Sequence, residues 1–324
     1  MRIALLGAVC FDEIFPVEGG RREGFGGLLY NAAALSSVLE DGDWAVPISR
    51  LGQDRYEAAL AEFARLPHVD TSGLTRCADP FTHVTLTWRT ASWRDEIVRH
   101  RMLPYDVETL EKALDCDVAH INFINGTEID IETLRAFRQR FRGLLSLDVH
   151  NIISRFDAEG KRTIVGFPQW REWAPHLDVV QCNEHEINTM FERNLETRAD
   201  FAAGAKDVCA AGPRAVTVTL GPEGAITVHR RDDAYFAVDI DVLPPVKAVD
   251  ATGCGDSFSA GFVLGMLRYD DPPTALACGT IVAGVNARHA GIGQLTEAMS
   301  YLKDPRAHFA VFNGKPADWP GQPV

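Results

Sequence analysis

Val249-Asp250-Ala251-Thr252-Gly253-Cys254-Gly255-Asp256-Ser257-Phe258 is the stretch from which the rest of the chain is read. Two glycines flank one residue, which lets the backbone take positive φ and come close to a ligand. Asp256 to Leu267 follows with helical spacing and enough apolar residues for a buried helix. A glycine turn that opens a helix leaves several N–H groups unpaired at the positive end of the helix dipole, an arrangement that binds anions. Asp256 stands where a capping or first-turn carboxylate stands. A tight turn with a simple helix cap explains the same letters without a ligand. A second acid, Asp250, six residues earlier, and Thr252 beside the turn favour the ligand-binding reading.

Outward from that turn, the 324 residues are 46% hydrophobic, enough for one large α/β domain with an appendage, or for two domains. A net charge of −13 argues against nucleic acid as a general partner. The seven cysteines are scattered with no Cys-x-x-Cys pair, which predicts reduced thiols in a cytoplasm rather than a disulfide frame or a zinc site. The apolar run after Met1 is short and ends at Asp12-Glu13 with no cleavage site after it, so it reads as a buried first strand. No apolar run is long enough to span a membrane.

In chain order, Ile3 to Val9 reads as a central parallel strand with Asp12 at its carboxyl end, where open α/β sheets bind ligands. Gly26-Gly27 then opens an Ala-rich helix with Asn31 one turn inside. Asn is unfavourable there unless a polar ligand or a buried contact holds it. Trp44 to Ser49 is a strand and Gln53 to Leu66 a helix. Thr82 to Arg89 and Glu96 to Met102 alternate as an antiparallel hairpin around the turn 90–95. Arg89, Arg94, Arg99 and Arg101 make it basic, either for an anionic substrate or to protect edge strands from mispairing. Strands follow at Val118 to Ile124, Leu144 to Val149 and Leu177 to Cys182, with a helix at Ile129 to Phe141. Asp148 reads as a site residue or a loop anchor, His150 as structural or solvated. Asn183 and Glu186 make a near capping box. Ala215 to Leu220 and Ala225 to Arg230 flank the turn Gly221-Pro222-Glu223-Gly224. The helix Pro273 to Arg288 is rich in small residues, for close packing or for a flat ligand. The tail from Ala307 reads as irregular.

The turn Asp250-Ala251-Thr252-Gly253-Cys254-Gly255-Asp256-Ser257-Phe258 resembles the signature Asp-Thr-x-Gly-Ala-Gly-Asp-x-Phe of the ribokinase-like (pfkB) carbohydrate kinase family. It departs at Ala251 and Cys254, both small; Cys254 would contribute mainly its backbone N–H. Gly26-Gly27-x-x-x-Asn31 is the second shared feature. The resemblance covers Gly7 to about Gly291. It implies a three-layer α/β/α fold with a mostly parallel central sheet, in one domain spanning 1–324, with a small β-sheet lid from about 11–25 and 75–103. It implies Asp12, Gly26, Gly27 and Asn31 on substrate hydroxyls, which suits a carboxylate that accepts from two neighbouring hydroxyls. Asn183, Thr219, Gly221, Gly224 and Asn286 border the nucleotide. The resemblance also implies Glu186 holding Mg2+ through water, and Asp250 either orienting the turn or helping to hold the monovalent cation, K+, that some members use. A homodimer through the lid is a further implication.

The chemistry follows. The resemblance implies that ATP's γ-phosphoryl group passes to a hydroxyl of a sugar or sugar-like molecule, or of a nucleoside. The N–H groups of Gly253, Cys254, Gly255 and Asp256 form the anion hole, and the Asp256 carboxylate is the general base. The chain has no Gly-x-x-x-x-Gly-Lys-[Ser/Thr] loop. Two rivals remain. Gly255-Asp256-Ser257 resembles a hydrolase nucleophile block, although Asp304 and His308 are misspaced for its partners. A non-catalytic sugar-binding regulator on the same fold is the other. Which sugar or nucleoside binds is not readable from these letters.

Overall fold

The first strand splits where the sequence predicts continuity. In the computed structural model, which describes residues 1–90, 94–243, 248–293, 295–309 and 322–323, β1 (Arg2–Leu6) ends before Gly7 and β2 begins at Val9. The strands are β1, β2 (Val9–Phe15), β3 (Arg22–Gly27), β4 (Trp44–Gly52), β5 (Leu74–Cys77), β6 (His83–Trp88), β7 (Arg94–Arg99) and β8 (Val118–Asn122). They continue with β9 (Leu144–Asp148), β10 (Ser154–Phe156), β11 (Arg162–Ile164), β12 (Val179–Asn183), β13 (Ala215–Thr219), β14 (Ala225–Arg231), β15 (Ala234–Ile240) and β16 (Gln322–Pro323).

The large sheet runs β16-β15-β14-β13-β12-β9-β8-β1-β4-β5. From β13 to β5 the pairs are parallel; β14, β15 and β16 add on antiparallel. Parallel strands are buried on both faces, and β1 shows why its letters are all apolar. Ile3 and Leu5 feed one core and Ala4 and Leu6 the other, all at 0% exposure. The helices Leu28–Ser36, Cys254–Tyr269 and Pro272–Asn286 cover the first face. Ile131–Arg140, Glu184–Phe191 and Arg198–Ala210 cover the second. A four-stranded mixed sheet, β3-β2-β6-β7, stands beside the large one. This is the α/β fold class that the sequence implies.

Several expectations change. Asp12 lies in β2, within the small sheet, and not at the carboxyl end of the first central strand. The break has a cause: the Gly7 N–H donates to the Tyr105 hydroxyl at 2.9 Å, which takes it off the ladder. Leu74–Cys77, which overlaps the start of the stretch expected for the lid (about 75–103), pairs with β4 at the edge of the large sheet. The helix expected from Gln53 to Leu66 is Tyr56–Ala64. The hairpin β10–β11, the strand β15 and the helix Arg198–Ala210 were not anticipated. The turn 90–95 and the tail are described only in part, since 91–93, 310–321 and 324 lie outside the described residues.

The small residues of Pro272–Asn286 serve packing. A Cβ on Gly265 would lie 2.6 Å from the Ala275 Cα, and one on Gly261 2.7 Å from the Cys278 carbonyl oxygen. The two helices touch almost backbone to backbone, which larger side chains forbid.

Candidate active site

The helix Cys254–Tyr269 begins with Gly253 in the left-handed region, φ 74°, and no side chain caps it. A Cβ at Gly253 would meet the Tyr30 ring at 2.2 Å, so this glycine is required twice over. The Cys254 N–H donates to the Ala251 carbonyl at 3.2 Å and the Ser257 N–H to the Gly253 carbonyl at 2.8 Å. Among the described residues, the N–H groups of Gly253, Gly255 and Asp256 are left without a backbone acceptor at the positive end of the helix. The anion hole expected of four N–H groups is therefore narrower: Cys254 has spent its donor inside the loop. Its thiol faces away, towards the Ala283 carbonyl at 3.6 Å.

A cavity of about 310 Å³ opens in front of this turn. Gly253, Gly255 and Asp256 form one wall, and Asp12 and Gly27 reach it from the small sheet. Asn183, Glu186 and Thr219 reach it from the carboxyl ends of β12 and β13. These eight residues were singled out from sequence, and the fold brings them to one space. Gly26 sits just behind: a Cβ there would lie 2.0 Å from the Asp12 Oδ2, so only glycine leaves the carboxylate its place. Cys10 donates its thiol to the Asp12 Oδ1 at 3.1 Å.

Other expected contacts lie elsewhere. Asn31 is fully buried under the turn, where its Nδ2 donates to the Asp256 carbonyl at 3.0 Å and to the Ser259 Oγ at 3.3 Å. Its Oδ1 accepts from the Asn122 Nδ2 at 3.0 Å, so its amide is committed to the protein. Asn286 is buried too, and its Nδ2 donates to the Thr252 carbonyl at 2.9 Å and the Cys254 Sγ at 3.4 Å. It holds the turn in place. Gly221 and Gly224, with φ of 55° and 91°, shape the link between β13 and β14 and do not line the cavity. Ser257 is 1% exposed and is not on the cavity wall, which removes the hydrolase reading.

Asp250 lines a second, neighbouring cavity of about 570 Å³. Its Oδ1 accepts from the Thr252 N–H at 2.9 Å and hydroxyl at 2.7 Å, and its Oδ2 faces the Arg22 guanidinium at 3.5 Å. These contacts tie Asp250 to the turn and to the small sheet.

Sequence reasoning undervalued Asp148 and His150 and passed over Asn122 and Gln181. All but Asn122 line the cavity. Asn122 donates to the Asp256 Oδ1 at 2.5 Å, and the Gln181 Nε2 bridges the Asp148 Oδ2 and the Gly255 carbonyl, both at 3.1 Å. The His150 Nδ1 stands 2.9 Å from the Phe123 carbonyl oxygen, where only a donor is satisfied. The missed signal was position: Asn122, Asp148 and Gln181 sit at or next to the carboxyl ends of β8, β9 and β12, where such sheets keep their ligands.

Burial pushes the Asp256 carboxyl above its ordinary range, and the His150 charge and the Asn122 hydrogen bond pull it partly back. Asp148 rises well above the usual range through burial, then through Glu186 and Asp256. Burial also raises Glu186, against His150 and the Asn183 N–H. Glu186 accepts from that N–H at 2.9 Å and from the Asn183 Nδ2 at 2.8 Å, completing the capping box the sequence suggested. Burial takes Asp12 to about 6; Cys10 and Arg94 oppose the rise, while Glu96 and Asp256 add to it. Buried carboxylates crowded together in this way suit a hard cation, anion-binding donors and proton transfer.

A glycine turn feeding a helix, a buried acid behind it and a second sheet over the cavity define the α/β small-molecule kinases as a class. The sequence pattern of the pfkB family carbohydrate kinases matches residues 18–299, and this chain belongs to that family. Fructoselysine 6-kinase of Escherichia coli (strain K12) is 31% identical over 140 residues, 41% of this chain and 48% of that protein. Adenosine kinase of Saccharomyces cerevisiae is 27% identical over 133 residues, 40% of this chain and 38% of that protein. The match thus spans about half or less of these curated relatives. A solved pyrophosphate-dependent kinase of the ribokinase family superposes with a TM-score of 0.75 at 17% identity, covering 92% of this chain and 99% of that one. Among the described residues, no helix is long and apolar enough to cross a membrane.

Proposed function

We propose that this protein transfers the γ-phosphoryl group of ATP to a hydroxyl of a sugar or sugar-like molecule, with Asp256 as general base. The observation that carries the reading is the Asp256 carboxylate, set beside helix-end N–H groups that have no backbone acceptor and sharing one cavity with Asp12. The N–H groups of Gly255 and Asp256 meet the transferring phosphoryl oxygens. Asp256 takes the acceptor proton late, once the oxygen is bonding to phosphorus, and its raised basicity suits that task. Asn122 and Asn31 hold the carboxylate and the turn in position.

Among the described residues no three metal-binding side chains stand close enough for direct coordination, yet the oxygen-rich set of Asp148, Glu186 and Asp256 fits Mg2+ that keeps its water. When bound, Mg2+ would neutralise charge on the donor phosphates. The small sheet acts as the lid, with β3 as the edge left for a homodimer, because the outer side of β7 already receives the Gly160 carbonyl at the Val98 N–H. Pyrophosphate is the alternative donor, favoured by the likeness to a pyrophosphate-dependent enzyme. A nucleoside is the alternative acceptor, favoured by the adenosine kinase match.

A matrix of ATP or pyrophosphate against D-ribose, D-fructose, myo-inositol and adenosine, read by product formation, tests the reading. Turnover of no pair by the folded protein would overturn it. One further outcome follows from the site. Asp12 must be ionised to accept from two hydroxyls, and its carboxyl titrates at about 6. Sugar affinity should therefore be full above that pH and fall towards about tenfold per unit below it, read by calorimetry without donor. In Asp12→Asn the dependence should disappear.

A further inference from the structure

The roof of the cavity is one face of the small sheet. Side chains alternate along a strand, and the residues that reach the cavity are every second one: Cys10 and Asp12 from β2, Val84 and Leu86 from β6, Arg94 and Glu96 from β7. The register agrees, since Asp12 pairs with Val84, Leu86 with Glu96 and Trp88 with Arg94. The roof is thus a stripe of two apolar side chains with an acid on either side. Strands lie about 4.8 Å apart, so the backbones carrying the two acids are about 10 Å apart.

Glu96 is not a surface acid that happens to point inward. It is 9% exposed, and its Oε2 accepts from the Arg162 guanidinium at 3.1 Å and its Oε1 from the Asn151 Nδ2 at 3.4 Å. Asn151 is 2% exposed and also donates to the Ile124 carbonyl at 2.8 Å; Arg162 also donates to the buried Ser154 Oγ at 2.9 Å. The hairpin β10–β11 brings these partners across. Its Gly160 carbonyl accepts from the Val98 N–H at 2.8 Å, and Lys161 bridges to Ile97. A carboxylate held by two donors keeps its remaining lone pairs for a third partner, because each oxygen has two. Glu96 and Asp12 line the same cavity.

We propose that Glu96 is a second substrate-binding carboxylate and selects acceptors that carry hydroxyls on two opposite edges of a ring. The proposal rests on the kinase reading of this cavity. Asp12 grips one edge, Val84 and Leu86 cover the C–H face, and Glu96 accepts from hydroxyls on the far edge. Arg94, two residues before Glu96 on β7 and stacked 5.1 Å over the Trp88 ring, lines the same cavity and offers further donors. A cyclitol or a hexose ring satisfies both edges. A nucleoside puts its base where Glu96 and Arg94 require polar partners, and burying unmatched charge against it is unfavourable.

Glu96→Ala and Glu96→Gln in the full chain test this, with binding of myo-inositol, D-fructose and adenosine read by calorimetry without donor, and turnover read separately. The wild-type chain should bind at least one of the two polyols more than tenfold more tightly than adenosine. Glu96→Ala should weaken that polyol more than tenfold, raise KM in parallel and leave kcat within about threefold. Glu96→Gln, which keeps an acceptor, should fall between. Adenosine affinity should not weaken in either. Arg162→Ala should reproduce part of the loss, through the aim of the carboxylate. Polyol affinity unchanged within twofold in a Glu96→Ala protein that melts as the wild type does would overturn the proposal, as would tighter wild-type binding of adenosine. A chain that binds the polyol through Glu96 yet transfers no phosphoryl group would count against the kinase reading and leave this one standing.

Discussion

Asp256→Asn should lower kcat by about 10²- to 10⁴-fold, the range a positioned general base contributes, while the KM values for donor and acceptor stay within a few-fold. The asymmetry follows from the site. An amide oxygen still accepts the 2.5 Å hydrogen bond from Asn122, and the N–H groups of Gly255 and residue 256 still face the phosphoryl group. Only the capacity to take a proton is lost. Single-turnover measurements with a saturating acceptor separate this loss from product release. Because burial raises the wild-type carboxyl, the acid limb of kcat should lie above the usual carboxylate range near 4 and should vanish in the variant. A variant with near-normal phosphoryl transfer would sink the assignment of the base.

Gly253→Ala should be almost as damaging by a different route. The residue holds φ 74°, a region costing a side chain about 1–2 kcal/mol, and the added Cβ would lie 2.2 Å from the buried Tyr30 ring. The turn must shift or Tyr30 must move, and either change displaces the N–H groups to which we assign the phosphoryl oxygens. Loss of one such donor lowers kcat by about 10²–10³-fold. The expected outcome is a fall of that order in kcat, a modest drop in melting temperature, and sugar affinity at Asp12 retained. Gly255→Ala is the control, since a Cβ there meets nothing within 4 Å. It should keep the wild-type melting temperature, so that any loss it shows is read at the cavity wall and not in the fold.

The legible parts of this chain were those where local chemistry and tertiary structure ask for the same residue. Gly253 and Gly255 announced the turn because backbone geometry admits little else. Alternation in β6 and β7 announced the hairpin, and the continuous apolar run of β1 announced a strand buried on both faces. Asn31 drew attention because its type conflicts with an Ala-rich helix, and the conflict resolves in a network reaching Asp256. Others were hidden because their meaning is tertiary. Glu96 looks like one more charge on an exposed hairpin until Arg162, 66 residues later, comes across to meet it. Asn122 reads as the polar end of a strand, since its partner Asp256 is 134 residues away. The break at Gly7 was invisible for the same reason: the Tyr105 hydroxyl that captures its N–H is 98 residues downstream.

That break is also where the chain first passes from the large sheet to the small one. Gly7 and Ala8 alone join β1 to β2, and the Tyr105 hydroxyl, itself buried, meets both the N–H and the carbonyl of Gly7 and the carbonyl of Ile48. A tether so short, pinned by one phenol, allows tilting but denies sliding. The separation of Asp12 from Asp256 across the cavity is then set by the covalent scaffold as much as by packing.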